Sequence, residues 1–225
     1  MIDMKEPVCQ EQKIIIRRRL NARGLKLSVN RAGQVVLSLP FFYPKPLALA
    51  FVKKHQDWIT AQRARLKSTL HFASGQTVSV LGQPLLICHF PGAHFATHIA
   101  GSELHVSGDA AFIHRRVTDF IRRETGDYIG RRAPELAAKI DQKINRITLK
   151  DTTSRWGSCS GQKNLNFCWR LGLAPLFVLD YIIAHEVAHL AEMNHGPRFW
   201  RLVSHLTDDR SRAEIWLRRH GPTLR

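Results

Sequence analysis

His185, Glu186 and His189 stand inside LFVLDYIIAHEVAHLAEM (176–193), a segment otherwise almost wholly apolar. Histidines four residues apart share one face of a helix, one turn from each other, so both imidazoles can bind a single ion. Zinc is the expected occupant. The glutamate between them would project beside the open coordination position, where a carboxylate takes a proton from a metal-activated water. Buried polar groups without partners cost on the order of 1–3 kcal/mol each, and one metal ion would compensate all three.

A catalytic zinc takes three protein ligands and keeps one position for water. His195 is the favoured third ligand. It follows a helix end expected at Met193 and Asn194, where Asn194 in the left-handed conformation would turn the chain back, and Gly196-Pro197 stops simple continuation. Glu192 is the alternative, on the helix one turn beyond His189. An oxyanion formed at such a site needs a donor, and Tyr181 and Arg155 are the candidates. His89, His94, His98 and His105 form a second, looser group, read either as another metal site or as scattered strand histidines.

The elements that must position these residues follow from periodicity. Ala174-Pro175 opens the histidine-bearing helix with proline at its first turn. NRITLKD (145–151) and NLNFCWRLGLA (164–174) read as strands around the loop TTSRWGSCSGQK, and the second of them, at a sheet edge, could pair with an extended peptide. AAFIHRRVTDFIRRETGDYIGRRAPELAAKI (110–140) has helical spacing, with Pro134 expected to mark a kink or a new first turn. Upstream, IIIRRRL, LKLSVN and VVLSLP suggest a small antiparallel sheet. One helix is expected over 47–66, followed by short strands at QTVSVLG, PLLICHF, HFATHI and ELHVSG. The fold class expected is α+β, with an N-terminal β-rich part over 1–108 and the histidine-bearing domain over 109–225, the two able to pack as one unit.

Composition narrows the setting. The chain has 225 residues, 44% of them hydrophobic, no uninterrupted apolar run long enough for a membrane span, and no secretory apolar stretch in MIDMKEPVCQEQK. A cytoplasmic protein with no membrane partner is expected. Four cysteines without a CxxC pair fit reduced thiols. The net charge is +16, and residues 1–70 hold fourteen Lys and Arg against four Asp and Glu. That excess suggests a nucleic acid, nucleotide or other acidic partner, or simply a solvated basic face. No internal repeat, zinc-finger spacing or phosphate-binding glycine loop is present.

RWGSCS (155–160), LNFCWRLGLAP (165–175) and HEVAHLAEMNHGPRFW (185–200) resemble the YgjP-like metallopeptidase family and, more distantly, the SprT-like and WLM zincins. RRRLNARGLKLSVNRAGQVVLSLP and QDWI resemble the same family, so the likeness spans most of the chain. It implies a zincin-like C-terminal domain, with an active-site helix on a small sheet. It implies one Zn2+ held by His185, His189 and His195, with Glu186 as catalytic acid and base. Trp156, in the Trp-Gly-Ser-Cys mark at 156–159, reads as a packed turn or as a substrate contact. The metzincin pattern shares the ligand spacing but has Gly where this chain has Glu192, and it needs a methionine turn; no Met follows Met193.

The function expected is zinc-dependent hydrolysis of peptide bonds in a protein or peptide substrate. Two alternatives use the same residues differently: a metal-dependent hydrolase of nucleoside triphosphate phosphoanhydrides, and a basic zinc-containing module that docks on DNA. Glu186 argues against the last, since a structural zinc needs no acid or base beside it.

Overall fold

VVLSLP is the most apolar of the three N-terminal strand segments. In the computed structural model, which describes residues 14–22, 24–30, 33–66 and 70–224, it takes the centre of the first sheet. Strands β1 (Ile14–Arg19), β2 (Lys26–Val29) and β3 (Val35–Pro40) lie in the order β1-β3-β2. Alternation alone suggests an antiparallel sheet; β2 does run antiparallel to β3, but β1 runs parallel to it. The buried β3 thereby gains a neighbour on each side, and the arginines of β1 and the lysine of β2 fall on edges where charge stays solvated.

Two helices follow where one is expected: α1 (Lys45–Lys54) and α2 (Gln56–Leu66). The break is at His55. Its ring Nδ1 binds the carbonyl of Phe51 at 2.8 Å, the acceptor a continuing helix would use, and its backbone N–H donates to Val52 instead. Ala48, Val52 and Ile59 close a small core on Val35, Leu37 and Leu39.

The chain divides into two compact units, residues 1–69 and 70–225. In the second, β4 (Thr77–Val80) and β5 (Gln83–Phe90) form a hairpin. Its two-residue turn has positive φ at both Leu81 (50°) and Gly82 (84°), the geometry that matches strand twist. The Leu81 N–H donates to the Gly172 carbonyl at 2.7 Å, which holds a non-glycine residue in that conformation. Strands β6 (His98–Ala100) and β7 (Glu103–Ser107) complete a sheet in the order β4-β5-β7-β6. HFATHI, expected as a strand, contributes only its last residues to β6, so the pairing begins at His98.

Helix α3 (Ile113–Ala138) packs Val117, Phe120 and Ile121 against Val78, Leu85, Ile87, Leu104 and Val106. The β-rich segment 71–108 thus shares one core with the helix that follows it. A boundary near Asp109 would cut through that core; the division lies at 69/70 instead. α3 runs through Pro134 as one element rather than starting anew there.

The third sheet has the order β8-β10-β9, built from β8 (Arg146–Lys150), β9 (Gly157–Cys159) and β10 (Asn164–Cys168). β9 lies inside the segment expected to be loop. β10 ends at Cys168, where Trp169–Leu173 winds into a 3-10 turn, and it is the central strand, so the sheet edges belong to β8 and β9. Helices α4 (Leu176–Ala188), α5 (Pro197–Leu206) and α6 (Arg210–His220) finish the fold. The architecture is α+β with several small sheets. Among the described residues no helix is long and apolar enough to cross a membrane. Cys88, Cys159 and Cys168 are free thiols, and Cys9 lies outside the described residues.

Candidate metal centre

Helix α4 is apolar nearly all round because it is the middle of the larger core: Val178, Leu179, Ile183, Ala184, Val187 and Ala188 are fully buried. Its last turn carries His185 and Glu186. The helix ends at Ala188, earlier than Met193, and His189 is its C-cap, followed by a turn whose Glu192 carbonyl lies 3.0 Å from His189 Nδ1. A carbonyl only accepts, so Nδ1 carries the proton and Nε2 is left with a lone pair. The same turn swings His195 back until its Nε2 stands 3.1 Å from Nε2 of His185.

His185, His189 and His195 each offer a ligand nitrogen, and these atoms lie within 4.8 Å of one another. This is the arrangement one ion requires, and among the described residues no other group of His, Cys, Asp and Glu forms such a cluster. Burial lowers the pKa of His185 to about 4, with the neighbouring His189 and His195 adding to the effect, and burial also lowers that of His189. Both imidazoles are therefore neutral at pH 7, the form that ligates a metal. His185 Nδ1 is buried with no hydrogen-bond partner among the described residues. Glu192, the alternative third ligand, offers its backbone carbonyl to His189.

The floor beneath the three rings is Phe199 of α5, fully buried, with ring centroids 4.9, 4.5 and 4.6 Å from those of His185, His189 and His195. Trp200 flanks His195 at 5.6 Å. Sequence reasoning did not single out either residue. The signal was the Gly-Pro-Arg-Phe-Trp run, which starts a helix at Pro197 and places Phe199 four residues after His195.

Glu186 is 6% exposed, and burial raises its pKa to about 7 against the opposing charge of Arg155. Its side chain lies flat on β9 at Gly157. A Cβ added there would sit 2.5 Å from Glu186 Oε1 and 2.6 Å from its Cγ, so this glycine is a steric requirement of the carboxylate. Cys159, two residues along β9, has its thiol pKa raised by burial and by Glu186. The Trp-Gly-Ser-Cys segment is thus the strand that walls in Glu186. Arg155 and Gly157 also share a small cavity of about 50 Å³ with Lys150 and Asn166.

The other sequence candidates point elsewhere. The Tyr181 ring meets the edge of His185 at 5.9 Å, but its hydroxyl donates to Glu214 of α6 at 2.9 Å, so the donor expected to steady an oxyanion is already engaged. Glu214 also accepts from Arg210 Nε at 3.1 Å, and Arg210 stacks over Trp200 at 3.5 Å. The indole of Trp156 lies against Gly221, where an added Cβ would be 3.3 Å from its ring, and its carbonyl accepts from the Cys168 N–H. The histidines of the β-rich segment are used locally: His89 on the Gly108 carbonyl, His98 on the Ala96 carbonyl and His105 on Glu103. They do not converge on a second site.

A family model described as YgjP-like, metallopeptidase domain, matches residues 23–220 of this chain. No curated protein and no solved structure matches it at a significant level.

Proposed function

The chain belongs to the YgjP-like metallopeptidase family, and from that premise we propose that it is a zinc-dependent peptidase of zincin type whose active site is the last turn of α4. The observation that carries this reading is the convergence of three imidazoles beside a buried carboxylate. His185, His189 and His195 would hold one ion. A set of three imidazoles suits zinc, and among the described residues no carboxylate of the kind that a magnesium site uses joins the cluster. When bound, the ion supplies Lewis acidity that polarises a peptide carbonyl and acidifies a water.

Glu186 takes that water's proton at a carboxylate oxygen and passes it to the leaving amine. Gly157 keeps this carboxylate against β9, and Phe199 packs against all three imidazoles. Arg155, whose charge acts on Glu186, is the donor left to steady a developing oxyanion, since Tyr181 is held by Glu214. A substrate segment in extended form pairs with the edge strand β9, beside Glu186.

The test compares wild type with Glu186→Gln, both loaded with zinc, on an unfolded protein mixed with nucleoside triphosphates, reading products by mass spectrometry. New peptide termini should appear with wild type and fall about 10²- to 10⁴-fold in the variant, with bound zinc unchanged. Nucleoside diphosphate or monophosphate made only by wild type would replace the peptidase reading with phosphoanhydride hydrolysis, and equal activity of the two proteins would remove Glu186 from the chemistry.

A further inference from the structure

Among the described residues, the outer face of the first sheet carries an array of cations without counter-charges. Residues pointing inward from β1, β2 and β3 alternate with an outer set made of Ile15, Arg17 and Arg19, Lys26 and Ser28, and Val36, Ser38 and Pro40. Register places Arg17 opposite Ser38 and Ser38 opposite Lys26, so one row across the sheet reads Arg, Ser, Lys. Its two charges stand two strand spacings apart, about 9–10 Å. Arg19 extends the row along β1, and Asn21 and Gly24 close its rim around a concavity of about 490 Å³.

Like charges on one face repel, and proteins usually interleave carboxylates to relieve this. Here none is present: among the described residues Arg17, Arg19 and Lys26 make no side-chain hydrogen bond or ion pair, and the one described carboxylate of this unit is Asp57 on α2. That helix packs through Ile59 on Leu37 and Leu39, the inward face of the sheet. Arg18, by contrast, is engaged by the carbonyls of Phe41 and Tyr43. Among the described residues the three cations are thus an unbalanced local charge on one sheet face.

We propose that this sheet face binds duplex nucleic acid through its phosphate backbone. Arginine forks and a lysine suit phosphate oxygens, and the serine hydroxyls, the Asn21 amide and backbone N–H groups at the rim are the neutral donors that such contacts add. No aromatic ring lines the concavity, whereas grooves for single strands stack bases on aromatics. The contact is therefore independent of base sequence. It requires no metal and stands apart from the peptidase reading.

The test measures binding of a fluorescent 20-base-pair duplex to the full, metal-free chain by anisotropy across a salt series. The triple variant Arg17→Ala/Arg19→Ala/Lys26→Ala should flatten the slope of log affinity against log salt by about 2–3 and weaken binding at least about tenfold at 0.1 M salt. Lys45→Ala/Lys53→Ala/Lys54→Ala on α1 removes the same charge and should leave both nearly unchanged. Equal weakening by the two triples would reduce the effect to net charge and overturn the site. So would a flat slope in wild type, a single strand of equal length binding more tightly, or polyglutamate displacing the duplex at matched charge. Should the first triple melt early, the exposed single reversal Arg19→Glu carries the same prediction.

Discussion

Glu186 can lie against β9 only because Gly157 has no side chain. Gly157→Ala would put a methyl group within 2.5–2.7 Å of three atoms of the carboxylate arm, so Glu186 must move. We expect peptidase activity to fall about 10²-fold or more, as for other small misplacements of a catalytic group, while zinc titration of the variant matches wild type. Phe199→Leu should do the reverse. Loosening the floor under all three imidazoles should weaken zinc affinity about 10- to 100-fold, read by competition with a chelator. The spacing of His185, Glu186 and His189 was legible in the sequence because it is local, set by the helix repeat, whereas His195 was read from the Gly196-Pro197 stop that follows it. Gly157 and Phe199 were not legible: one acts through an absent side chain, the other through ring contacts across a turn, and neither leaves a pattern of polar residues.

At the scale of elements, the tie between α4 and α6 has a pH dependence of definite sign. Burial alone would raise the pKa of Glu214, but the Tyr181 hydroxyl and Arg210 outweigh it and hold the carboxyl below its ordinary range. A depressed carboxyl stabilises the fold fully above the unfolded value, about 4.3, and that contribution is lost as pH falls through the folded value. Glu214→Gln should therefore melt lower than wild type at pH 6, and the gap should close below about pH 4. The contact of α3 with the 3-10 turn is tighter still. A Cβ at Gly172 would meet Thr125 Oγ1 at 1.9 Å in a fully buried setting. Gly172→Ala should cost about 1–3 kcal/mol or more, read from the denaturation midpoint. Periodicity found α3 and α4 because both bury a long apolar set. It did not find the break at His55, which depends on one ring capturing one carbonyl, nor β9, three residues too short for alternation to register.

For the whole molecule, composition separated strands from helices near Asp109, yet shared burial joins them: Val78, Leu104, Val117 and Ile121 belong to one cluster. A fragment spanning 70–225 should therefore fold cooperatively and bind zinc like the full chain, whereas one beginning at Asp109 should aggregate, its α3 face stripped of its sheet; calorimetry and light scattering distinguish them. The basic N-terminal unit was visible as a charge count, but its organisation into a face required strand register. The edge strand β9 has one more consequence. An unpaired edge accepts any extended chain, a second copy of this protein included, and long edges of that kind invite fibres. With three residues, β9 offers too short a ladder to hold a copy by itself. On the proposed reading, an extended substrate would rest there only while something else grips it, so the brevity of the strand would disfavour self-association and make residence at the site depend on contacts beyond the ladder.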